Sequence, residues 1–202
     1  NMVDSSNVYF VSVKRPNTLL YSGKHNIHIE ANIFNWFENN YDISIYPDNI
    51  LDYNPNILNN SSIIILSYHC EYISSKTYNK LISLVEDSGK SLMSIGGNQI
   101  YWKIKWDAKF ETMECRKDMT FFRDSFSIGG MWKHSLKNES KFLGVRYSNA
   151  GYDTYAPYKI VNHHHWLLDD VQIPSDSLFG KRGIDSLGLS GLETDKVTSY
   201  SK

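Results

Sequence analysis

The segment "NVYFVSV", residues 7 to 13, is dense in β-branched and aromatic side chains and stops at Lys14-Arg15-Pro16, which predicts a first strand followed by a loop. From Ile27 the apolar positions Ile27, Ala31, Phe34 and Phe37, flanked by Ile33 and Trp36, return at helical spacing, and Asn39-Asn40 closes the segment. "YDISIYP", residues 41 to 47, alternates and then meets a proline, so it predicts a second strand. "SIIILS", residues 62 to 67, is an unbroken apolar run of strand length, as expected where both faces are covered. "SSKTYNKLISLVEDSG" then predicts a helix with a serine N-cap and Gly89 as its stop, and "KSLMSIGGN" a fourth strand entering a glycine turn.

Strand, helix, strand, strand, helix, strand within the first hundred residues is the order of a parallel sheet with helices on both faces. The expected fold is therefore a three-layer α/β sandwich with a central parallel sheet, flavodoxin-like in plan. Beyond Asn98 the pattern changes. "IYWKIKW", "ETMECRK", "FLGVRYS" and "HHHWLLD" are short, strand-like and separated by glycine or polar loops. They predict a β-rich addition over residues 101 to 202 packed on the α/β core of residues 1 to 100. No Gly-, Ser- or Pro-rich linker marks a boundary, so one domain over 1 to 202 is expected.

Composition narrows the function only by exclusion. The 202 residues carry 21 Lys and Arg against 22 Asp and Glu, scattered rather than clustered, which gives no electrostatic footprint for nucleic acid or an anionic membrane. The longest apolar runs are far too short to span a bilayer, and "NMVDSSNVYF" lacks the basic-then-apolar order of a signal peptide. A cytoplasmic chain acting on a small molecule is the expectation. Cys70 and Cys115 give neither a disulfide framework nor a zinc spacing.

The chemistry concentrates where strands are expected to end. In a parallel sheet ligands bind outside the carboxyl ends of the strands, and "YHCEY", residues 68 to 72, and Gly96-Gly97-Asn98 both fall at that edge. On an extended stretch His69 and Glu71 project to one side, since side chains alternate. Two polar groups satisfying one another and an acid–base pair are both consistent with that placement. Asn98 after two glycines either orients a carbonyl or occupies a left-handed turn. Lys117 either pairs with Glu71 or Glu193 or is solvated, and Glu193 lies in a polar tail. Cys70 with His163, His164 or His165 is a weaker alternative, because its flanks lack the small residues of a nucleophile elbow. The triple histidine, and His25 with His28, raise metal ligation against a plain polar edge.

Read in order, "KRP", "NWFENNYDISIYPDN", "YHCEYIS", "GGNQIYWKIKW", "TMECRKD", "GGMW", "FLGVRYSNAGYDTY", "HHHWLL" and "GLSGLETD" resemble the successive blocks of the C-terminal domain of the N,N-dimethylformamidase large (β) subunit and its relatives. The resemblance implies a class I glutamine-amidotransferase-like fold and hydrolysis of the C–N bond of a small amide. It implies a ferric iron, Fe(3+), held by two tyrosinates and a glutamate, which transfers onto Glu71 and, for one tyrosine, Tyr9. It also implies pocket roles for His69, Asn98, Lys117 and Glu193, and a homo-oligomer or companion subunit as partner. The second tyrosine has no counterpart in this chain. Two functions are therefore carried forward: an amide hydrolase, metal-assisted or not, with Glu71 as ligand or base, and a binding or scaffolding domain for a carbohydrate or protein that keeps the fold without the metal.

Overall fold

Tyr78, Leu81 and Leu84 lie one helical turn apart and are buried to 0%, 1% and 3% exposure, and around this stripe the fold is organised. They belong to α3 (Ser75–Glu86), which begins where the Ser74 hydroxyl accepts the Thr77 N–H at 3.1 Å and ends three residues before Gly89 at φ +66°. Burying each such side chain contributes roughly 1.5–3 kcal/mol. The computed structural model describes residues 8–14, 27–151, 154–182, 188 and 193–201, with only the backbone for 27–29 and 151.

Two parallel strand pairs flank this helix in sequence. β2 (Ile63–Leu66) pairs in parallel with β4 (Ser91–Ser94), Ile64 opposite Leu92 and Leu66 opposite Ser94. Ile64 and Leu66 are buried while Ile63 is exposed, so the apolar run reads as an alternating strand. β3 (Tyr72–Ser74) pairs in parallel with β5 (Trp102–Trp106), which runs antiparallel to β6 (Thr112–Cys115). β1 (Phe10–Ser12) closes the far edge antiparallel to β6, giving the order β1-β6-β5-β3. The segment before β5 receives "GGMW": the Trp132 N–H bonds to the Tyr101 carbonyl at 2.9 Å, setting the Trp132 ring 4.4 Å from Tyr78 in the core.

The remaining elements pack around this centre, Leu58, Phe142 and Leu143 adding to its apolar core. α1 (Ile27–Glu38) and α2 (Asp48–Tyr53) precede β2, and a 3₁₀ helix over Pro55–Asn60 joins α2 to it. α4 (Glu139–Leu143) ends at Gly144, left-handed at φ +76°, and β7 (Val145–Ser148) follows. β7 pairs antiparallel with β10 (Thr194–Val197), and β8 (Tyr158–Lys159) with β9 (Leu178–Phe179). No helix among the described residues is long and apolar enough to cross a membrane.

This architecture corrects the expected one. The described residues do not form a three-layer sandwich with a single central parallel sheet. The parallel strands are split between a two-stranded sheet and a mixed four-stranded one, and the described residues form four small sheets in all. The segment predicted as the second strand, residues 41 to 47, has neither helix nor ladder; Tyr41, Ile45 and Tyr46 are exposed and Pro47 leads into α2. Alternation alone supplies no neighbour for the backbone groups, and a strand exists only where one is found. "HHHWLLD" forms a 3₁₀ turn over Trp166–Leu168, capped by His165 Nδ1 accepting the Leu167 N–H at 3.3 Å, and "FLGVRYS" splits between α4 and β7. Arg15, Pro16 and His25 lie outside the described residues, as does the side chain of His28.

Candidate functional site

The site is built from the two turns that leave β2 and β4. The Ile95 N–H still bonds to the Leu66 carbonyl at 2.9 Å, after which both chains turn: Tyr68 at φ +48°, Gly96 at +118° and Asn98 at +58°. A Cβ on Gly96 would stand 2.1 Å from the Tyr68 carbonyl oxygen, so only glycine permits this approach. Gln99, itself buried, laces the turns together. Its Nε2 donates to the Tyr68 carbonyl at 2.8 Å and its Oε1 accepts the Cys70 N–H at 2.9 Å. The Ile100 N–H then bonds to the Cys70 carbonyl, and those of Tyr101 and Trp102 to the Glu71 carbonyl, each at 2.8 Å. His69 and Glu71 are thereby held alongside Asn98.

The polar side chains form one connected cluster. His69 Nδ1 lies 3.0 Å from the Gly97 carbonyl and 3.2 Å from Glu193 Oε2. Both partners only accept, so Nδ1 carries the proton and Nε2 is left as the basic nitrogen in neutral imidazole. Asn98 Nδ2 donates to both Glu193 oxygens at 3.2 Å, and the Asn98 backbone N–H donates to Asp195 Oδ1 at 2.8 Å. Burial raises the Glu71 carboxyl above the ordinary carboxylate range; the Lys117 ammonium opposes this, Glu193 adds to it, and hydrogen bonds to Trp102 and Asn98 oppose it. Lys117 Nζ donates to the Tyr72 hydroxyl at 2.9 Å and stands 4.9 Å from the Trp102 ring centre. Burial lowers its pKa, but the Tyr72 hydroxyl and the Glu71 charge outweigh that and leave it raised, so the ammonium persists. The tail meets the turn backbone to backbone, a Cβ on Gly97 falling 2.6 Å from the Glu193 carbonyl oxygen.

His69, Glu71, Asn98, Lys117 and Glu193 are thus brought together, and Tyr9 is not. Its hydroxyl donates to Asp118 at 2.5 Å and its ring carries the Arg116 guanidinium at 4.1 Å, with no described contact to Glu71. The phenols that do adjoin Glu71, Tyr72 and Tyr101, have pKa values raised by burial and further by the Glu71 charge. The two residues the resemblance offers as iron ligands, Tyr9 and Glu71, are therefore not brought together, and no group of three His, Cys, Asp or Glu among the described residues could hold a metal ion. Cys70 packs against the core and burial pushes its thiol well up; Cys115 is likewise raised, to about 11. His163 instead pairs with the Ser177 hydroxyl at 3.1 Å. Two cavities, about 320 Å³ beside Trp36 and Phe37 and about 210 Å³ beside Ser74 and Trp106, are not lined by the cluster, whose His69 and Glu193 side chains are each 19% exposed.

Sequence reasoning missed Gln99, Tyr72, Trp102 and Asp195. Gln99 and Tyr72 stand beside residues it did single out and Asp195 two positions from Glu193 in the "GLETD" block, so proximity along the chain was the available signal there, whereas Trp102 is four positions from Asn98.

A partly buried carboxylate, an imidazole with one nitrogen fixed and a carboxamide thus form one polar cluster on the turns that leave the small parallel sheet. The chain belongs to the family described as N,N-dimethylformamidase beta subunit-like, C-terminal, which it matches over residues 1–202. No curated protein matches it.

Proposed function

We propose that this protein is a hydrolase of a small amide or related C–N bond. The family name supplies the amide-hydrolase context. The observation that carries the reading is the raised Glu71 carboxyl held among Asn98, Trp102 and Lys117. A carboxylate whose proton affinity is moved toward neutrality is a better general base than an ordinary one. Glu71 takes a proton from a water as its oxygen adds to the amide carbon. The Lys117 ammonium faces the negative charge that develops on the carbonyl oxygen. Glu71 returns the proton to the nitrogen as the C–N bond breaks, leaving a carboxylic acid and an amine. His69, fixed through Nδ1 by Gly97 and Glu193, offers Nε2 to orient the water, and Asn98 holds Glu193 in register. The family name also describes a β subunit, and a companion subunit is proposed on that ground.

The test is amine release from a panel of small amides by wild type and Glu71→Gln. Turnover lost in the variant, with its fold intact, supports the reading. Absence of turnover in the wild type, alone and with a companion subunit, refutes it. The binding-domain alternative would then stand.

A further inference from the structure

Asn98 is a left-handed residue, 3% exposed, whose side chain has to reach a carboxylate on a distant segment. Left-handed geometry is uncommon in residues other than glycine, although asparagine tolerates it better than most, and it persists only where surrounding bonds hold it. The Asn98 N–H has one partner, the Asp195 carboxylate at 2.8 Å. Asp195 reaches it from β10, opposite Tyr147 of β7. β7 is itself fixed by Arg146 Nε on Glu139 at 3.1 Å and by the Tyr147 ring edge-on to Tyr101 at 5.5 Å. Glu193, two residues before Asp195, meets Asn98 Nδ2 and His69 Nδ1. One short tail segment therefore grips the turn twice, the Glu193 carboxylate accepting from the Asn98 side chain and the Asp195 carboxylate from the Asn98 backbone N–H.

We propose that Asp195 is a positioning residue. By holding the Asn98 N–H it fixes the turn that aims the Asn98 carboxamide at Glu193 and Glu71, so the site is complete only when β10 is docked. A bond from a backbone N–H to a carboxylate is charge-assisted and so among the stronger hydrogen bonds. Asparagine at 195 would keep an oxygen acceptor in place, whereas alanine would leave the N–H of a nearly buried residue without a partner. The role in turnover rests on the hydrolase reading; the anchoring of the turn does not.

Amide hydrogen exchange followed by NMR on the whole chain tests the anchor. In Asp195→Ala the Asn98 amide should exchange about tenfold faster or more, while amides of β2 and β4 keep their rates. Asp195→Asn should restore the Asn98 rate to within about threefold of wild type. On an amide the wild type turns over, Asp195→Ala should lower kcat about tenfold or more with KM changed less than about twofold, and Asp195→Asn should recover most of it. In unmutated protein the Asn98 amide proton should titrate with the midpoint of the Asp195 carboxyl carbon; Glu193 and His69 are the other titrating groups acting on Asp195. An unchanged Asn98 rate, a rise shared equally with β2 and β4, no rescue by asparagine, or different midpoints would each overturn the proposal. If the wild type hydrolyses nothing, the hydrolase reading falls alone and the exchange rates decide the anchor.

Discussion

Two regions of the molecule carry the same kinds of side chain and treat them oppositely. Around Glu71 a carboxylate, phenols and a cation sit in the junction between two core turns and a tail strand. Around Tyr9 a phenol, the carboxylate of Asp118 and the guanidinium of Arg116 meet at the surface. At Glu71 lost solvation outweighs the neighbouring charge and the carboxyl rises. At Asp118 the Tyr9 hydroxyl is the largest influence and the carboxyl falls. The difference teaches that residue chemistry alone does not make an acid–base site: burial decides which protonation state the neighbours favour.

The comparison breaks most sharply in turnover. Glu71→Gln should reduce kcat/KM for a hydrolysed amide by about 10²–10⁴, the range expected for loss of a general base. Amine release measures this, and a fall below about threefold would remove Glu71 from that role.

Next comes the backbone that creates the burial. Gly96→Ala places a Cβ against the Tyr68 carbonyl at φ +118°, and should cost roughly 1–3 kcal/mol in a denaturant titration. An unchanged midpoint would show that the turns need not approach so closely.

The pH dependence sharpens the contrast because the two carboxyls shift in opposite directions. Glu71 binds its proton more tightly folded than unfolded. Its contribution is therefore full below the ordinary carboxylate value and is lost as pH rises through the window up to its raised value. Asp118 is depressed, so its contribution is present above the ordinary value and lost as pH falls toward its lowered one. In thermal melts across pH, Glu71→Gln should flatten the loss as pH rises above the ordinary carboxylate value, and Asp118→Asn the loss as pH falls below it. Equal effects of both variants on one side would contradict the assignment.

The smallest effect is expected from Tyr9→Phe. Turnover should stay within about twofold of wild type, since the hydroxyl serves an exposed surface bond. A large loss of activity would put Tyr9 back into the site.

Much of the local structure was legible because periodicity reports which face of an element is covered. The helix of Ser75–Glu86 with its serine cap was readable in this way; Ile63–Leu66 was readable as a strand, though it was expected to be covered on both faces and Ile63 is exposed. Residues 41 to 47 show its limit: the alternation is there, yet the chain has no strand, because its backbone found no ladder. The site divides similarly. Glycines and polar residues beside apolar runs pointed to the turns at 68–71 and 96–98, whereas Tyr9 was carried by resemblance and Asp195 was passed over.

The sequence by itself determined the elements around α3 and the residue types concentrated on the two turns, since both depend on neighbours close along the chain. Tertiary structure decided which strands pair, that the parallel strands divide between two sheets, and that Asp195 and Glu193 close on Asn98 while Tyr9 stays outside. Those outcomes rest on hydrogen bonds and desolvation between segments up to 109 residues apart, and one-dimensional spacing carries no record of such partners.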